Sequence, residues 1–430
     1  MRFLAVGDLH MGACPKGIPE ELAGQYSGIA TWRLLVRAAI AQGVDVVLLL
    51  GDVVDWGNRF FEALGPLTAG IAELHEHRIS VYAVAGNHDF DALESVARVT
   101  QLENFHLLGR GGRWEQCVLA TGGTPIQLFG WSFPARYEHT NPFNSFPRDA
   151  VDPSCIGLGL LHADRDSAGS RYAPVSTADF TTSGVRHWLL GHIHKPDPLP
   201  GNGAVYTGSP AGMDPSETGL HGPILLDMST QPPTYRRIPV SGLRYEKVEL
   251  ELGEVGQVSD VQTQLVERVR TLATSTFAEQ PCTEQLILTG RCRAVTRVSE
   301  RALCDESVLD LLNGNEPLAL AEGRKVWCMG IPLEVMPPVT PDELVREAGI
   351  IGQTARLICD LEAQEDALLP AETRALLQRV RQRATDLSTR GVFRDVADEA
   401  ADGLGDARSL VLAQARRLLT ELVTRREVQS

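Results

Sequence analysis

The chain has 430 residues, of which 43% are hydrophobic and 22% charged, with a formal net charge of −15 at pH 7. That length exceeds one ordinary core and predicts two or three domains of a soluble globular protein. No stretch of roughly 18 apolar residues appears, so no membrane-spanning helix is expected, and the charge argues against a basic nucleic-acid module: residues 1–240 carry 17 basic and 24 acidic side chains, the remainder 23 and 31.

The apolar run Met1–Val6 is too short for a signal peptide and leads straight into a polar motif, so a cytoplasmic location is the default expectation. The eight cysteines contain no CxxC pair. This speaks against a zinc knuckle or a disulfide framework and for buried, reduced thiols.

In chain order, a strand is expected over Phe3–Val6, ending in Asp8-Leu9-His10. A helix near Ala30–Gln42 leads to a strand over Val44–Leu50, which ends in Gly51-Asp52-Val53-Val54-Asp55. A helix near Phe60–His77 leads to a strand over Ser80–Ala85, ending in Gly86-Asn87-His88-Asp89, and a helix over Asp91–Val99 follows. From Phe105 the pattern changes to short extended runs at Trp114–Leu119, Ile126–Phe129, Ile156–Leu161, Trp188–Leu190, Ala204–Thr207 and Ile224–Asp227. His162 ends one of these runs, and Gly191-His192-Ile193-His194 follows another. The order reads as a two-sheet α/β sandwich with helices outside.

The loop Ser132–Pro153 carries Tyr137, Phe143 and Phe146. It reads either as a functional loop at a site edge or as a surface loop anchored by its aromatics. Composition shifts near Pro239–Gly242. Residues 241–339 then read as a small α+β domain, with a strand over Tyr245–Leu250, a helix over Asp260–Leu272 and a strand over Gln285–Cys292. Thr340-Pro341-Asp342-Glu343 is a helix start, and 340–430 reads as helices only. There Leu412, Ala415, Leu419 and Leu422 form an apolar stripe beside Val411 and Leu418. Asp402 and Asp406 precede this last helix, while Arg416, Arg417, Arg425 and Arg426 lie late in it, as its dipole prefers. Such a tail folds back on its own domain or binds another helix.

Apolar runs bounded by glycine read as buried parallel strands, and ligands at their carboxyl ends converge on one sheet edge. Seven or eight ligands are too many for one ion; they call for two metals sharing a bridging carboxylate, the chemistry of phosphoester hydrolysis. Asp52, after Gly51, suits the bridge. Asp8 and His10 face one side of an extended segment, as do His192 and His194. Asn87 supplies a neutral oxygen and His162 a nitrogen. A mixed oxygen and nitrogen set suits manganese, iron or zinc better than calcium. His88 points toward substrate, where an imidazolium stabilises the reacting phosphorus centre or protonates the leaving oxygen; the alternative is a histidine that only orients a ligand. Asp55 and Asp89 read as hydrogen-bond partners of ligands. His75, His77, His106, His139, His187 and His221 are assigned to no metal.

Asp8-x-His10, Gly51-Asp52, Gly86-Asn87-His88-Asp89, His162 and Gly191-His192-x-His194 resemble the calcineurin-like metallophosphoesterases over residues 1–230. Gly130-Trp131-Ser132-Phe133-Pro134, Gly159-Leu160-Leu161-His162 and Tyr172-Ala173-Pro174 look like the DNA repair exonucleases of the bacterial YhaO and SbcD type. The resemblance implies one metal held by Asp8, His10, Asp52 and His194, a second held by Asp52, Asn87, His162 and His192, and His88 as the catalytic histidine. It further implies Mn²⁺ as the ion, nuclease subunits that dimerise, and an SMC-like coiled-coil ATPase that grips DNA. The α+β domain would then cap the site and the helical tail would dock the ATPase. One position departs from the pattern: Asp55 stands where SbcD-like nucleases commonly carry a second histidine. Two further readings stay open. One is a phosphodiesterase or phosphatase for a small molecule, with the second domain as its lid. The other is a non-catalytic adaptor, which the complete ligand set disfavours.

Overall fold

The computed structural model describes all residues except 59–61, 101, 121, 168, 200–202, 231, 297, 299, 315–316, 337–340, 364–368, 389–406 and 430. The chain divides into two compact units. The first comprises Met1–Lys247, Ala273–Thr289 and Pro317–Met329; the second comprises Val248–Leu272, Gly290–Glu316 and Gly330–Ser430. Of the three consecutive segments expected from the sequence, 1–240 lies within the first unit and 340–430 within the second, while 241–339 supplies residues to both.

The first unit is built on two mixed sheets. One runs Thr234–Arg237, Ile224–Asp227, Arg2–Val6, Val46–Leu50, Ser80–Val84, Phe105–Leu107; its last four strands are parallel and its first two antiparallel. The other runs Gly203–Tyr206, His187–Gly191, Ile156–His162, Ile126–Trp131, Glu115–Leu119, with only the last strand antiparallel to its neighbour.

Alternation along the first strand shows how the layers form. Phe3 and Ala5 are packed in one core with Leu48, Leu128, Leu160 and Leu189, residues of both sheets. Leu4 and Val6 face the helices Gly28–Gln42 and Leu64–Glu76, against Trp32, Leu35, Leu67 and Ile71. The first of these helices starts where the Ser27 hydroxyl accepts from the Ala30 amide and stops at Gly43 in the left-handed region. A third core of Phe129, Trp131, Phe143, Phe146, Phe180 and Trp188 involves strands of the second sheet. The loop Ser132–Pro153 therefore splits between its two readings: Phe143 and Phe146 are buried anchors, whereas Tyr137 is 39% exposed.

Strand boundaries lie close to expectation, with two instructive differences. Thr234–Arg237 leaves no strand signal in the sequence, because it alternates exposed with half-buried polar residues at a sheet edge and has no apolar run. The helix expected over Asp260–Leu272 covers Val258–Glu279. Thr274, Ser275 and Thr276 are weak helix formers, but Ala273 and Phe277 are buried, and burial overrides propensity. The expected start of the second helix at Phe60 lies outside the described residues; Leu64–Glu76 is the helix there. Among the described residues no thiol is in a disulfide; Cys292 and Cys328 are buried and Cys14 and Cys282 exposed, so burial holds for only some of them.

In the second unit Cys292–Val295 pairs in parallel with Leu333–Met336. The helices Pro341–Leu344, Gly349–Ala363, Ala371–Ser388 and Ala407–Gln429 follow. The expected cap Thr340 and the acids Asp402 and Asp406 lie outside the described residues. The apolar stripe is spent inside this unit: Ala415, Leu419 and Val423 pack with Leu344, Ala355 and Ile358, and Val411 packs with Leu361, Leu369 and Leu377. Ile350, Leu410 and Leu418 stay exposed. Among the described residues no helix is long and apolar enough to cross a membrane.

Candidate metal centre

The site forms where strands of both sheets end. Arg2–Val6, Val46–Leu50 and Ser80–Val84 deliver Asp8, His10, Asp52, Asn87 and His88 from one sheet. Ile156–His162 and His187–Gly191 deliver His162, His192 and His194 from the other. The sequence reading expected one sheet edge; the face-to-face stacking of two sheets supplies the full set.

Local backbone at the site is strained. Asp8, His10, Asp52 and His192 have φ of 53°, 45°, 50° and 105°, four of the eight non-glycine residues in the left-handed region among the described residues. Each such residue costs on the order of 1–3 kcal/mol and persists only where its surroundings over-determine it. Here they do. The Asp8 amide donates to the Gly51 carbonyl (3.1 Å) and the His10 amide to the Asp52 carbonyl (2.9 Å). The His192 amide donates to both Asp8 carboxylate oxygens (3.0 and 3.1 Å), and the His88 amide donates to Asp52 Oδ1 (2.9 Å). Asp89, fully buried, accepts from the amides of Gly86 and Val53 at 2.7 Å each and so ties two ligand loops together. Burial and the nearby Asp52 charge push its carboxyl up to about 6.

Gly86 is required by close approach. A Cβ there would lie 2.2 Å from Asp52 Oδ1 and 2.7 Å from the Asp52 amide. Gly86→Ala is therefore expected to displace the bridging candidate and to weaken divalent-metal binding at least about tenfold, since loss of ligand support typically costs 10–100-fold. Titration calorimetry with Mn²⁺ checks this; wild-type affinity in the variant would rule the role out.

Three imidazoles share one arrangement. His162 Nδ1 donates to the Leu50 carbonyl (3.0 Å), so its Nε2 faces Asn87 Oδ1 (3.1 Å) and Asp52 Oδ2 (3.4 Å). His194 Nδ1 donates to Glu217 Oε1 (2.7 Å), and its Nε2 faces His10 Nε2 at 3.0 Å. His10 Nδ1 lies 3.4 Å from Asp55 Oδ1. In each case one ring nitrogen is held by an outer acceptor and the other turns inward, the ring orientation that metal ligation requires. Asp8, His10 and His194 can gather their ligand atoms around one point, and Asp8, Asp52 and His162 around another, each set within 4.8 Å. Asp55 can gather with His10 and His88 in a third set. The His192 ring lies 5.2 Å from that of His162. The donor set fits two divalent cations: buried carboxylates and inward nitrogens crowd together with their outer atoms already satisfied.

The charges reflect this crowding. Burial opposes the charge of Asp52, but the neighbouring His162, His10 and His88 outweigh it and hold its carboxyl well below the usual range. Burial raises Asp8. Burial lowers His192 to about 3, with the His162 charge adding to it. For His162 burial is outweighed mainly by Asp52, and for His194 by Glu217 and Asp8; both rise to about 9.

His88 stands at the open side of the centre, its side chain 33% exposed, with Nε2 4.0 Å from Asp52 Oδ2 and Nδ1 3.5 Å from Asp55 Oδ1. The carboxylates outweigh burial and raise its pKa.

Two participants escaped the sequence reading. The Leu50 carbonyl is backbone and carries no residue signal. Glu217 lies 23 positions after His194, in a stretch with no motif of its own, and nothing short-range could have found it.

The crowded carboxylates and inward imidazoles make this a candidate divalent-metal centre. Residues 1–196 match the family described as calcineurin-like phosphoesterase, and the chain carries that domain. Within the family its relatives are of the YhaO and SbcD type. The chain is 27% identical to an uncharacterised metallophosphoesterase, YhaO, of Bacillus subtilis, over 76% of this chain and 80% of the relative. It is 26% identical to the SbcD component of the SbcCD nuclease of Rhodobacter capsulatus, over 53% and 67% respectively. It is 22% identical to the DNA double-strand break repair protein Mre11 of Methanopyrus kandleri, over 49% of each. Among solved structures, a dimetal phosphatase from Danio rerio aligns at 15% identity with a TM-score of 0.34, over 53% of this chain and 92% of that one.

Proposed function

We propose that the chain is a two-metal phosphodiesterase that cleaves DNA, an exonuclease or endonuclease subunit acting in DNA repair with an SMC-like coiled-coil ATPase. The observation that carries the reading is the crowding of Asp8, His10 and His194 around one point and of Asp8, Asp52 and His162 around another, with Asn87 against His162 and His88 on the open side. The names of the relatives, a repair protein and a nuclease component, favour DNA over a small diester.

In this reading Asp8, His10, Asp52 and His194 hold one ion, and Asp52, Asn87, His162 and His192 hold the other, with Mn²⁺ the expected metal. Two such cations, when bound, neutralise the anionic ester and lower the pKa of water. His88 does the proton work: Asp55, 3.5 Å from its Nδ1, favours the imidazolium, and Nε2 is left to donate to the leaving oxygen. Asp55, the departure from the nuclease pattern, thus serves His10 and His88 together.

The reading retains a cytoplasmic setting and a homodimer. Among the described residues of 340–430, the apolar side chains left for an ATPase include the exposed Ile350, Leu410 and Leu418, because the buried stripe is already occupied. Leu410→Glu combined with Leu418→Glu is expected to abolish co-elution with the ATPase partner while leaving thermal unfolding unchanged; undiminished complex formation would assign these leucines no docking role. The primary test is cleavage of labelled linear duplex DNA with Mn²⁺, alongside an aryl phosphodiester and with His88→Asn as control. Degradation of DNA by the parent but not the variant is expected. An aryl diester hydrolysed while DNA survives, even with the ATPase present, would overturn the nuclease reading.

A further inference from the structure

Beside the centre, six side chains of the first unit form a continuous ladder of rings and guanidinium groups. Phe90, two residues after His88, stacks on Trp56 with ring centroids 6.0 Å apart and planes at 26°. Arg136 Cζ lies 4.6 Å from the Trp56 ring centre and 5.5 Å from that of Tyr137. Arg171 Cζ lies 4.6 Å from the Tyr137 ring centre and 5.4 Å from that of Tyr172. The Tyr172 ring in turn lies 5.1 Å from His192. The ladder thus starts on the His88 loop and ends against a candidate ligand.

Its central rungs are open to solvent: Tyr137 is 39% exposed, and Arg136 and Arg171 are exposed. They are also held in place. The Glu138 amide donates to the Arg171 carbonyl (2.9 Å) and the Ala173 amide to the Glu138 carbonyl (2.7 Å), so the two segments carrying the rungs are joined by backbone.

Rings alternating with guanidinium planes, with Tyr137 and both arginines exposed, match the chemistry of unpaired nucleotides. Bases stack on rings and guanidinium planes, while the same guanidinium groups attract phosphates. A base-paired duplex keeps its bases in their own stack and has nothing to offer the rings. On a chain of net charge −15, a fixed local pair of arginines is also a physically economical way to draw in a polyanion. We infer that the ladder grips unpaired nucleobases of the strand to be cut and feeds its phosphates to the metal centre. This rests on the nuclease reading and names the part of the substrate that reading leaves open.

The test uses the full chain and two exposed rungs, Tyr137→Ala and Arg136→Ala, with Tyr137→Phe to keep the ring. Binding of a labelled oligothymidylate and of a blunt hairpin, fully paired and closed by a non-nucleotide linker, is read by fluorescence anisotropy. Mn²⁺-dependent turnover is read on the oligomer and on an aryl phosphodiester. Both alanine variants are expected to weaken oligomer binding about tenfold or more, to lose more activity on the oligomer than on the aryl diester, and to change hairpin binding less. Tyr137→Phe is expected to keep oligomer binding. Oligomer binding unchanged in Tyr137→Ala, or weakened equally for the hairpin, would overturn the ladder and leave the nuclease reading standing. A parent protein that hydrolyses the aryl diester but neither binds nor cuts DNA would overturn both.

Discussion

Replacing His88 by asparagine is expected to lower turnover of an aryl phosphodiester with Mn²⁺ by about 100- to 10,000-fold, the usual span for a positioned general acid, while two metals still bind. The separation follows from geometry. The metal candidates take their support from Asp8, Asp52, the Leu50 carbonyl and Glu217, none of which depends on the His88 ring. His88 reaches the centre through its backbone amide, which donates to Asp52 Oδ1, and asparagine retains that donor. Its ring is one-third exposed and lies toward the open side. Asparagine keeps a polar side chain of modest size but cannot carry the proton. Calorimetry with Mn²⁺ gives the metal stoichiometry and steady-state kinetics give the turnover. Loss of a metal in the variant would make His88 a ligand, and full activity would remove it from the chemistry.

The second large effect is a pH dependence of metal binding. Without metal, His162 and His194 titrate at about 9, so both are protonated at neutral pH. A metal must displace one proton from each. The apparent affinity of each site is therefore expected to rise about tenfold per pH unit between pH 7 and 8 and to level off above about 9. Calorimetry in buffers of different ionisation enthalpy should report about one proton released per metal at pH 7.

The metal-free protein should respond in the opposite sense. Both histidines lie above their ordinary value of 6.5, so they contribute stability that is fully present below that value and lost as pH rises through about 9. The gap in Tm between metal-loaded and metal-free protein should accordingly widen from pH 7 to 9. Asp52 and Asp55, held below their ordinary 3.8, contribute stability that is present above that value and lost only as pH falls below it, outside this window. A flat affinity from pH 7 to 9 would mean that His162 and His194 are not displaced by metal.

The candidate ligands were legible because each sits at the end of an apolar strand or within four residues beyond it, and the spacing of Asp8 with His10 and of His192 with His194 is local. The longer parallel strands were legible because buried strands are apolar on both faces, whereas the three-residue parallel strand Phe105–Leu107 and the half-exposed, polar edge strand Thr234–Arg237 were not. The loop Ser132–Pro153 could not be assigned from composition, since burial alone separates Phe143 and Phe146 from the exposed Tyr137.

By itself, then, the sequence determined the order of strand and ligand loop, the chemistry of the donor set and the class of reaction it serves. These depend on residue type and short spacing, which chain-local physics governs. Only the tertiary structure decided that candidate ligands from two stacked sheets meet at one centre, and that the Leu50 carbonyl and Glu217 orient histidines there. It alone brought Trp56, Arg136, Tyr137 and Arg171 into one ladder beside that centre. It also decided that the apolar stripe of the last helix is spent on its own unit. Each of these depends on contacts between residues far apart in the chain, whose proximity is set by how the layers pack and leaves no periodic or local trace in the order of amino acids.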